Sequence, residues 1–210
     1  MDSIVAGIDV GGTAKGFHAV ALRKGKFMGR SHFSTALEAS DWCRDMHADI
    51  VAVDAPCQWS TTGRARPAER ALTAARIFAY ATPTLEVAEA KAFYRWMLNG
   101  AALYRLLERE YTLLDGRAPN GRTCLETFPH AAACALAGRI LPARQKCTNR
   151  REVLRHAGID TAMLTNIDYV DAALCAVVAD SVRKGEFTKY GDATSGFIFV
   201  PNPLATFSQQ

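Results

Sequence analysis

Short apolar runs rich in β-branched residues recur along the chain and predict the strands of a sheet. Three of them come first, at Ile4–Val10, Phe17–Arg23 and Lys26–Phe33. A glycine turn at residues 11–13 separates the first two runs, and a Lys-Gly pair at 24–25 separates the next two. Because short connections of this kind join antiparallel neighbours, the chain should open with a three-strand meander.

Apolar positions with helical spacing alternate with further strand-like runs in the rest of the chain. Thr35 and Glu38 have the spacing of a capping box, Thr165 or Asn166 can cap a late helix, and Gly185 should end it. Helices are predicted over residues 35–47, 68–80, 86–112, 130–137 and from about 166 to 184. Strands are predicted over residues 50–54, 122–127 and 196–200.

This order of elements predicts an α/β protein. Its sheet should be mixed, with the antiparallel meander extended by parallel strands and flanked by helices. A chain of 210 residues suits one domain spanning residues 1–210, with a helical insertion at about residues 60–120. The last residues, Ser208 to Gln210, form a polar tail.

The composition is that of an ordinary soluble protein, with 49% hydrophobic and 22% charged residues. No apolar run is long enough for a membrane span, and the amino terminus lacks an export signal, so we expect no membrane insertion and no secretion. The six cysteines contain no CxxC pair, which indicates neither a zinc site nor a disulfide framework. Reduced thiols and a cytoplasmic location are therefore expected.

Acidic residues close several of the predicted strands. Asp9 and Asp54 each end an apolar strand, and Glu126 stands near the end of a third. If the first two strands are neighbours, both aspartates face one crevice, where either one carboxyl is protonated or a divalent cation lies between them. On the late helix, Asp171 is followed at once by an apolar run, so it should face inward and need a partner.

Each of these acids also has a plain structural explanation. Asp9 can accept hydrogen bonds from the amides of the glycine turn that follows it, and Asp54 can cap the turn at Ala55 and Pro56. Asp168 lies in the first turn of its helix, where an acid complements the helix dipole. Taken singly, therefore, none of these residues identifies a site.

Two basic segments are candidates for contact with a phosphate backbone. Basic residues exceed acidic ones by 25 to 21, giving a net charge of +4, which permits an anionic partner. One segment follows Asp54 and the other lies within residues 139–155. Solvated helix faces with no partner would have the same composition. The candidate nucleic-acid-binding residues are Arg64, Arg66, Arg70, Lys146, Arg150 and Arg151.

The order of these elements resembles the ribonuclease H-like fold, and the late helix is similar to the closing helix of RuvC-type resolvases. More closely, VAVDAP, RARPAERALTAAR, LETFPHAA, VDAALCAVVAD and GFIFVP together resemble the domain-of-unknown-function 429 family, described as predicted RNase H-like nucleases. The resemblance spans nearly the whole chain. It implies an acidic centre formed by Asp9, Asp54, Glu126 and Asp171, with Asp168 as an auxiliary metal ligand.

This resemblance implies phosphodiester hydrolysis with Mg²⁺ or Mn²⁺. Two ions about 4 Å apart would activate a water and stabilise the leaving 3′ oxygen, while Arg and Lys side chains hold the nucleic-acid backbone. One departure is His130, since related chains often carry an acid after the proline of the Glu-x-x-Pro motif. An additional ligand at that position is not expected here.

Two other functions remain open. The stretch GIDVGGTAKG also resembles the phosphate-binding turn of sugar kinases and their actin-like relatives, although these usually need a second such domain. Alternatively, the fold serves as a non-catalytic module that binds nucleic acid or another partner, and its acids are structural. A P-loop, a GxSxG elbow and a histidine metal motif are all absent from the sequence. Oligomeric state and the particular substrate are not indicated.

Overall fold

A computed structural model describes residues 3–204, apart from the side chain of residue 143, so the polar tail at Ser208 to Gln210 lies outside the described residues. Within them the chain forms a mixed sheet of eight strands. In chain order the strands are β1 (Ile4–Val10), β2 (Phe17–Arg23), β3 (Lys26–Phe33), β4 (Ala48–Asp54), β5 (Thr112–Leu113), β6 (Thr123–Thr127), β7 (Phe187–Asp192) and β8 (Gly196–Pro201).

The strand order is β3-β2-β1-β4-β6-β8-β7, with β5 beside the start of β6. As predicted, β1, β2 and β3 form an antiparallel meander. On the other side of β1, strands β4, β6 and β8 follow in this order, and each is parallel to the strand before it. Strand β7 forms the far edge of the sheet and is antiparallel to β8. Consequently the carboxyl ends of β1, β4 and β6 lie at one edge of the sheet.

Helices cover both faces of this sheet. They are α1 (Ala36–Asp45), α2 (Pro67–Ala74), α3 (Leu85–Ala90), α4 (Arg95–Leu107), α5 (Pro129–Ala137), α6 (Lys146–His156) and α7 (Ile167–Lys184). A core that includes residues of α1 and α4 fills one face, and a larger core that includes residues of α2, α5, α6 and α7 fills the other. The helices of these two cores bury their apolar faces on either side of the sheet, which is the usual arrangement of an α/β protein.

The closest helix–strand approach places α7 directly on β1. A Cβ atom built on Gly7 would lie 2.1 Å from the backbone nitrogen of Ala176, far inside any allowed contact. Only glycine therefore permits this packing. The same approach brings the amino-terminal half of α7, including Asp171, to the edge of the sheet where Asp9 ends β1.

Several helix ends agree with the sequence. The Thr35 hydroxyl accepts a hydrogen bond from Glu38 N at 3.2 Å, and Glu38 Oε2 accepts one from Thr35 N at 3.0 Å, which confirms the capping box. Asn166 caps α7, and Gly185 ends it in the left-handed conformation with φ of 75°. These signals are local, so the sequence alone was sufficient to predict them.

Other boundaries differ from the prediction. The helix predicted over residues 68–80 ends at Ala74, and the chain then turns through Arg76 with φ of 63°. The single helix predicted over residues 86–112 is interrupted, because Lys91 is extended, with φ of −125° and ψ of 122°. Helix α6 and strand β7 were not predicted, since neither carries a strong apolar period.

Within residues 3–204, no helix has the length and apolar character needed to cross a lipid bilayer.

Candidate functional site

A cleft of about 270 Å³ opens at the sheet edge where β1, β4 and β6 end. Four acids predicted from the sequence line it: Asp9, Asp54, Glu126 and Asp171. The structure therefore brings together residues that are far apart in the chain. The lining also includes a fifth acid, Glu69, and basic and aromatic side chains, namely Lys15, Arg66, Lys146, Arg150, Tyr80, Trp96 and Phe128.

Asp9 and Asp54 face each other across neighbouring strands. They are paired in the parallel register of β1 and β4, as the sequence predicted for two strand-end acids. Burial raises the pKa of Asp9 from 3.8 to about 6, with Lys15 opposing the rise and Asp171 adding to it. Burial, followed by the negative charges of Asp9 and Asp171, raises the pKa of Asp54 well above its usual range. The three carboxyls therefore repel one another when ionised.

Lys15 neutralises part of this charge. Its Nζ atom lies 2.9 Å from Asp9 Oδ2 and 2.6 Å from Asp168 Oδ1. The turn between β1 and β2 positions it, since Lys15 N and Gly16 N both donate to the Gly12 carbonyl at 3.0 Å. Gly11 N donates to the Gly16 carbonyl, so this amide is engaged within the turn itself. Lys15 thus joins Asp168, which does not line the cleft, to Asp9, which does.

Asp171 has its own cation. The Arg150 guanidinium of α6 forms a buried ion pair with the Asp171 carboxylate. Burial raises the pKa of Asp171, and Arg150 opposes that rise. Lys146, one turn earlier on α6, is exposed and also lines the cleft. The amino-terminal part of α6 therefore contributes positive charge to the acidic edge.

Asp54 differs from these two acids. Among the residues that the structure describes, no cationic side chain lies within ion-pairing distance of its carboxylate. The side chain is half-buried and faces Asp9 and Asp171. Burial and the neighbouring acids disfavour the ionised form of Asp54, and a cationic ligand would stabilise that form.

Glu126 is occupied by internal contacts, although it lines the cleft. Its Oε1 and Oε2 atoms accept hydrogen bonds from Arg66 at 2.5 and 3.0 Å, and Oε2 also accepts one from Cys57 N at 2.8 Å. Arg66 also binds Glu69 Oε1 at 2.9 Å. This buried network fixes the loop after β4 to the end of β6, so in this arrangement Glu126 is a positioning residue.

The six predicted phosphate-binding residues fall into two groups. Arg64, Arg70 and Lys146 are exposed, as a surface contact with nucleic acid requires. The other three are held internally: Arg66 is buried between Glu69 and Glu126, Arg150 is paired with Asp171, and Arg151 donates to the carbonyls of Thr161 and Leu164. A basic composition does not distinguish a free side chain from one that stabilises a loop, which is why these three were grouped with the exposed residues.

The donor chemistry of the cleft fits a hard divalent cation, because carboxylate oxygens are the preferred ligands of Mg²⁺ and Mn²⁺. In the described part of the chain, however, no group of three or more His, Cys, Asp or Glu side chains is arranged as a metal site. Lys15 and Arg150 bind two of the three candidate ligands. A metal bound to Asp9 Oδ2 would therefore have to displace Lys15.

Sequence reasoning missed Lys15 and the aromatic residues of the cleft. Lys15 is the cation nearest in sequence to Asp9, only six residues beyond it, and that short spacing was the available signal. Tyr80 and Trp96 gave no comparable signal, since their segments were assigned to helices with apolar faces. His130 contacts Cys134, with Nε2 and Sγ 3.9 Å apart, and does not line the cleft.

Comparison with known proteins gives one match. A model of the family described as "Protein of unknown function (DUF429)" matches residues 7–195. No curated protein and no solved structure matches the chain. Because the matched span includes all four acids of the cleft and most of the sequence, the chain belongs to the DUF429 family.

Proposed function

We propose that the protein is a divalent-metal-dependent nuclease that hydrolyses phosphodiester bonds in the acidic cleft, on a ribonuclease H-like fold. The observation that carries this proposal is the arrangement of three carboxylates. Asp9 and Asp54 lie in register at the ends of parallel strands, Asp171 approaches from α7, and Asp54 has no ion-pair partner among residues 3–204. The antiparallel meander followed by parallel strands supports the fold assignment.

Asp9, Asp54 and Asp171 would hold the metal, and Asp168 would join them if Lys15 moved away. A bound Mg²⁺ or Mn²⁺ would supply activation of a water and neutralisation of charge on the phosphate. Glu126 is assigned a different role here, because Arg66 and Cys57 already use both of its oxygens. It keeps the loop after β4 in place beside the acids.

Positive side chains of the cleft would bind and orient the phosphodiester. Lys15 is partly exposed and Lys146 is exposed, and both line the cleft, so both can reach a phosphate bound there. Lys15 released from Asp9 would carry its charge directly to such a group. Exposed Arg64 and Arg70 extend the positive surface along the loop after β4 and α2. Phosphate contacts of this type position a backbone without reading its sequence.

A specific observation favours a second candidate, a non-catalytic module that binds nucleic acid or another partner. Two internal ion pairs, Lys15 with Asp9 and Arg150 with Asp171, already satisfy much of the negative charge. A protein that never binds metal would stabilise buried acids in this way. The third possibility, a nucleotide phosphate on the turn after β1, has no comparable support, because that turn uses Gly11 N for its own hydrogen bond.

A cleavage assay separates the two candidates. Single-stranded, duplex and branched nucleic acids would be incubated with Mn²⁺ and wild-type protein, Asp9→Asn or Asp180→Asn. Asp180 is a buried acid near the other end of α7 that pairs with Arg183 and Lys184, so it controls for loss of a buried carboxylate. We expect metal-dependent cleavage by wild type and Asp180→Asn only. Equal cleavage by Asp9→Asn would refute the proposed centre, and no cleavage by any protein would favour the non-catalytic module.

A further inference from the structure

Four aromatic side chains form a cluster on the surface beside the cleft: Phe78, Tyr80, Phe93 and Tyr94. Ring centroids lie 5.8 Å apart for Phe78 and Tyr80, 5.5 Å for Tyr80 and Phe93, and 5.0 Å for Phe93 and Tyr94, all in edge-to-face geometry. Phe78, Tyr80 and Phe93 are 71%, 59% and 56% exposed. Exposed aromatic rings contribute little to folding stability, so a contiguous exposed cluster of them indicates an interaction site.

The loop that carries Phe78 and Tyr80 is held firmly in place. Just before it, Ile77 is buried and its amide donates to the Leu72 carbonyl at 2.9 Å. Just after it, Thr82 N donates to Glu69 Oε2 at 3.0 Å, and the Thr82 hydroxyl also binds Glu69. Both aromatic rings are thus presented to solvent by an anchored backbone, so little conformational entropy is lost on binding.

The aromatic cluster is continuous with the acidic cleft. Tyr80 belongs to both, because its ring contacts those of Phe78 and Phe93 edge to face and it also lines the cleft with Asp9, Asp54 and Asp171. A ligand in the cleft that extends past Tyr80 would therefore pass over the exposed rings.

The exposed charges of the segment that carries the aromatic cluster, residues 60–100, are mostly basic and favour a polyanion. Within residues 60–100 the exposed acids are Glu86 and Glu89. The exposed basic side chains are Arg64, Arg70, Arg76, Lys91 and Arg95. Aromatic rings among excess Lys and Arg are the combination with which proteins bind single-stranded nucleic acid, where bases stack on the rings and cations contact the phosphates.

We propose that the aromatic cluster is a stacking surface for the bases of a single-stranded nucleic acid whose backbone enters the acidic cleft. In a duplex the base faces are already stacked on one another, so they are not free to contact the rings. The inference names the substrate class of the proposed nuclease and rests on that function for the reaction. The stacking contact itself requires no metal.

Fluorescence anisotropy in EDTA tests this contact apart from catalysis. The probes are a labelled single-stranded oligothymidine of about 12 nucleotides and a duplex of the same length. The proteins are wild type, Phe78→Ala, Tyr80→Ala, Phe93→Ala and the aromatic-preserving Tyr80→Phe. Ile140→Ala is the matched control, because it also removes exposed apolar surface but lies away from the aromatic cluster. Ile140 follows the end of α5, where Leu136 lies near Leu22 and Gly25 at the opposite edge of the sheet.

We expect the wild type to prefer the single strand and each alanine variant of the aromatic cluster to bind it about 5- to 150-fold more weakly. Tyr80→Phe and Ile140→Ala should bind as wild type does. Equal affinity for duplex and single strand, or unchanged binding by all three alanine variants, would overturn the inference. The inference would also be overturned if no oligonucleotide bound and the protein formed a concentration-dependent dimer that Tyr80→Ala abolished. In that case a second copy of the chain would cover the aromatic cluster.

The two proposals fail in different ways. If the variants lose single-strand binding in EDTA and no protein cleaves with Mn²⁺, the stacking surface stands and the nuclease reaction is refuted. If Mn²⁺-dependent cleavage occurs while all three alanine variants bind and cleave the single strand as wild type does, the reaction stands and the stacking surface is refuted.

Discussion

Lys15 Nζ lies 2.9 Å from Asp9 Oδ2, so the carboxylate at the end of β1 already has a cation beside it. The same nitrogen lies 2.6 Å from Asp168, so one side chain neutralises parts of two acids. Lys15 is 39% exposed and sits at a turn, which allows it to leave without disturbing the core. In the proposed metal centre, Lys15 would therefore compete with a divalent cation for Asp9.

Replacing Lys15 by Met should strengthen Mn²⁺ binding. The metal would no longer have to displace an ammonium group, and a partly exposed ion pair of this kind is worth about 0.4–1 kcal/mol, or about two- to fivefold in affinity. Isothermal titration calorimetry measures the change. Lys184→Met is the matched control, because Lys184 pairs with Asp180 at 2.7 Å towards the other end of α7. Weaker Mn²⁺ binding by Lys15→Met would show that Lys15 supports the metal site instead of competing for it.

Stability should fall as the pH rises from about 4 to about 6. Burial raises the pKa of Asp9 from 3.8 to about 6, so over this range the folded chain holds a proton that the unfolded chain has lost. The folded state is therefore favoured at low pH, by on the order of 2–3 kcal/mol for a shift of this size. The raised pKa of Asp54 extends the fall to higher pH.

Urea unfolding across this pH range checks the direction. Asp9→Asn removes the titrating group, so its free energy of unfolding should depend less steeply on pH than that of wild type. A wild-type stability that instead rose between about pH 4 and pH 6, with the rise lost in Asp9→Asn, would mean that Asp9 is stabilised as a carboxylate.

Glu126→Gln should lower the free energy of unfolding, because Glu126 holds Arg66 in a buried ion pair. Removing one charge leaves the buried Arg66 guanidinium with Glu69 as its remaining acid, at an expected cost of about 3 kcal/mol. Chemical denaturation gives the change in free energy of unfolding. Glu110→Gln is the control, since its ion pair with Arg122 is partly exposed, whereas Arg66 and Glu126 are buried. A Glu126→Gln protein as stable as wild type that has lost Mn²⁺ binding would make Glu126 a metal ligand.

Gly7→Ala should separate α7 from β1. The added methyl would lie 2.1 Å from Ala176 N and 2.2 Å from Ala172 O, both of them backbone atoms that cannot rotate away. We expect a loss of about 3 kcal/mol or more in the free energy of unfolding, and any folded protein should bind Mn²⁺ weakly because Asp171 moves with α7. Gly29→Ala, where an added methyl meets nothing within 4 Å, should unfold like wild type. Equal stability of the two variants would contradict the close packing of α7 on β1.

The sequence predicted the sheet better than the helical region. Apolar strands such as Ile4–Val10 and local signals such as the Thr35 cap depend on neighbouring residues, and they were recognised correctly. Residues 75–80 were predicted as a continuation of the helix that the structure ends at Ala74. Tertiary contacts decide otherwise: Glu69 binds Thr82 and holds the intervening chain in an extended loop.

For the site, the sequence indicated the acids but not their partners. Asp9 and Asp54 could be paired because parallel strands end at one edge of a sheet. By contrast, the contacts of Arg66 with Glu126 and of Arg150 with Asp171 join residues 60 and 21 positions apart. No local pattern specifies such pairs, so two buried structural arginines had the same appearance in the sequence as the exposed Arg64 and Arg70.

The most direct test of the proposed centre is calorimetric titration of Mn²⁺ into wild type, Asp54→Asn and Asp180→Asn. Asp54 is the acid of the cleft with no ion-pair partner in the described chain, so its loss should leave the fold intact while removing a ligand. We predict that wild type and Asp180→Asn bind Mn²⁺ and that Asp54→Asn binds at least about tenfold more weakly. No binding by wild type, or equal binding by Asp54→Asn, would contradict a metal centre at these carboxylates.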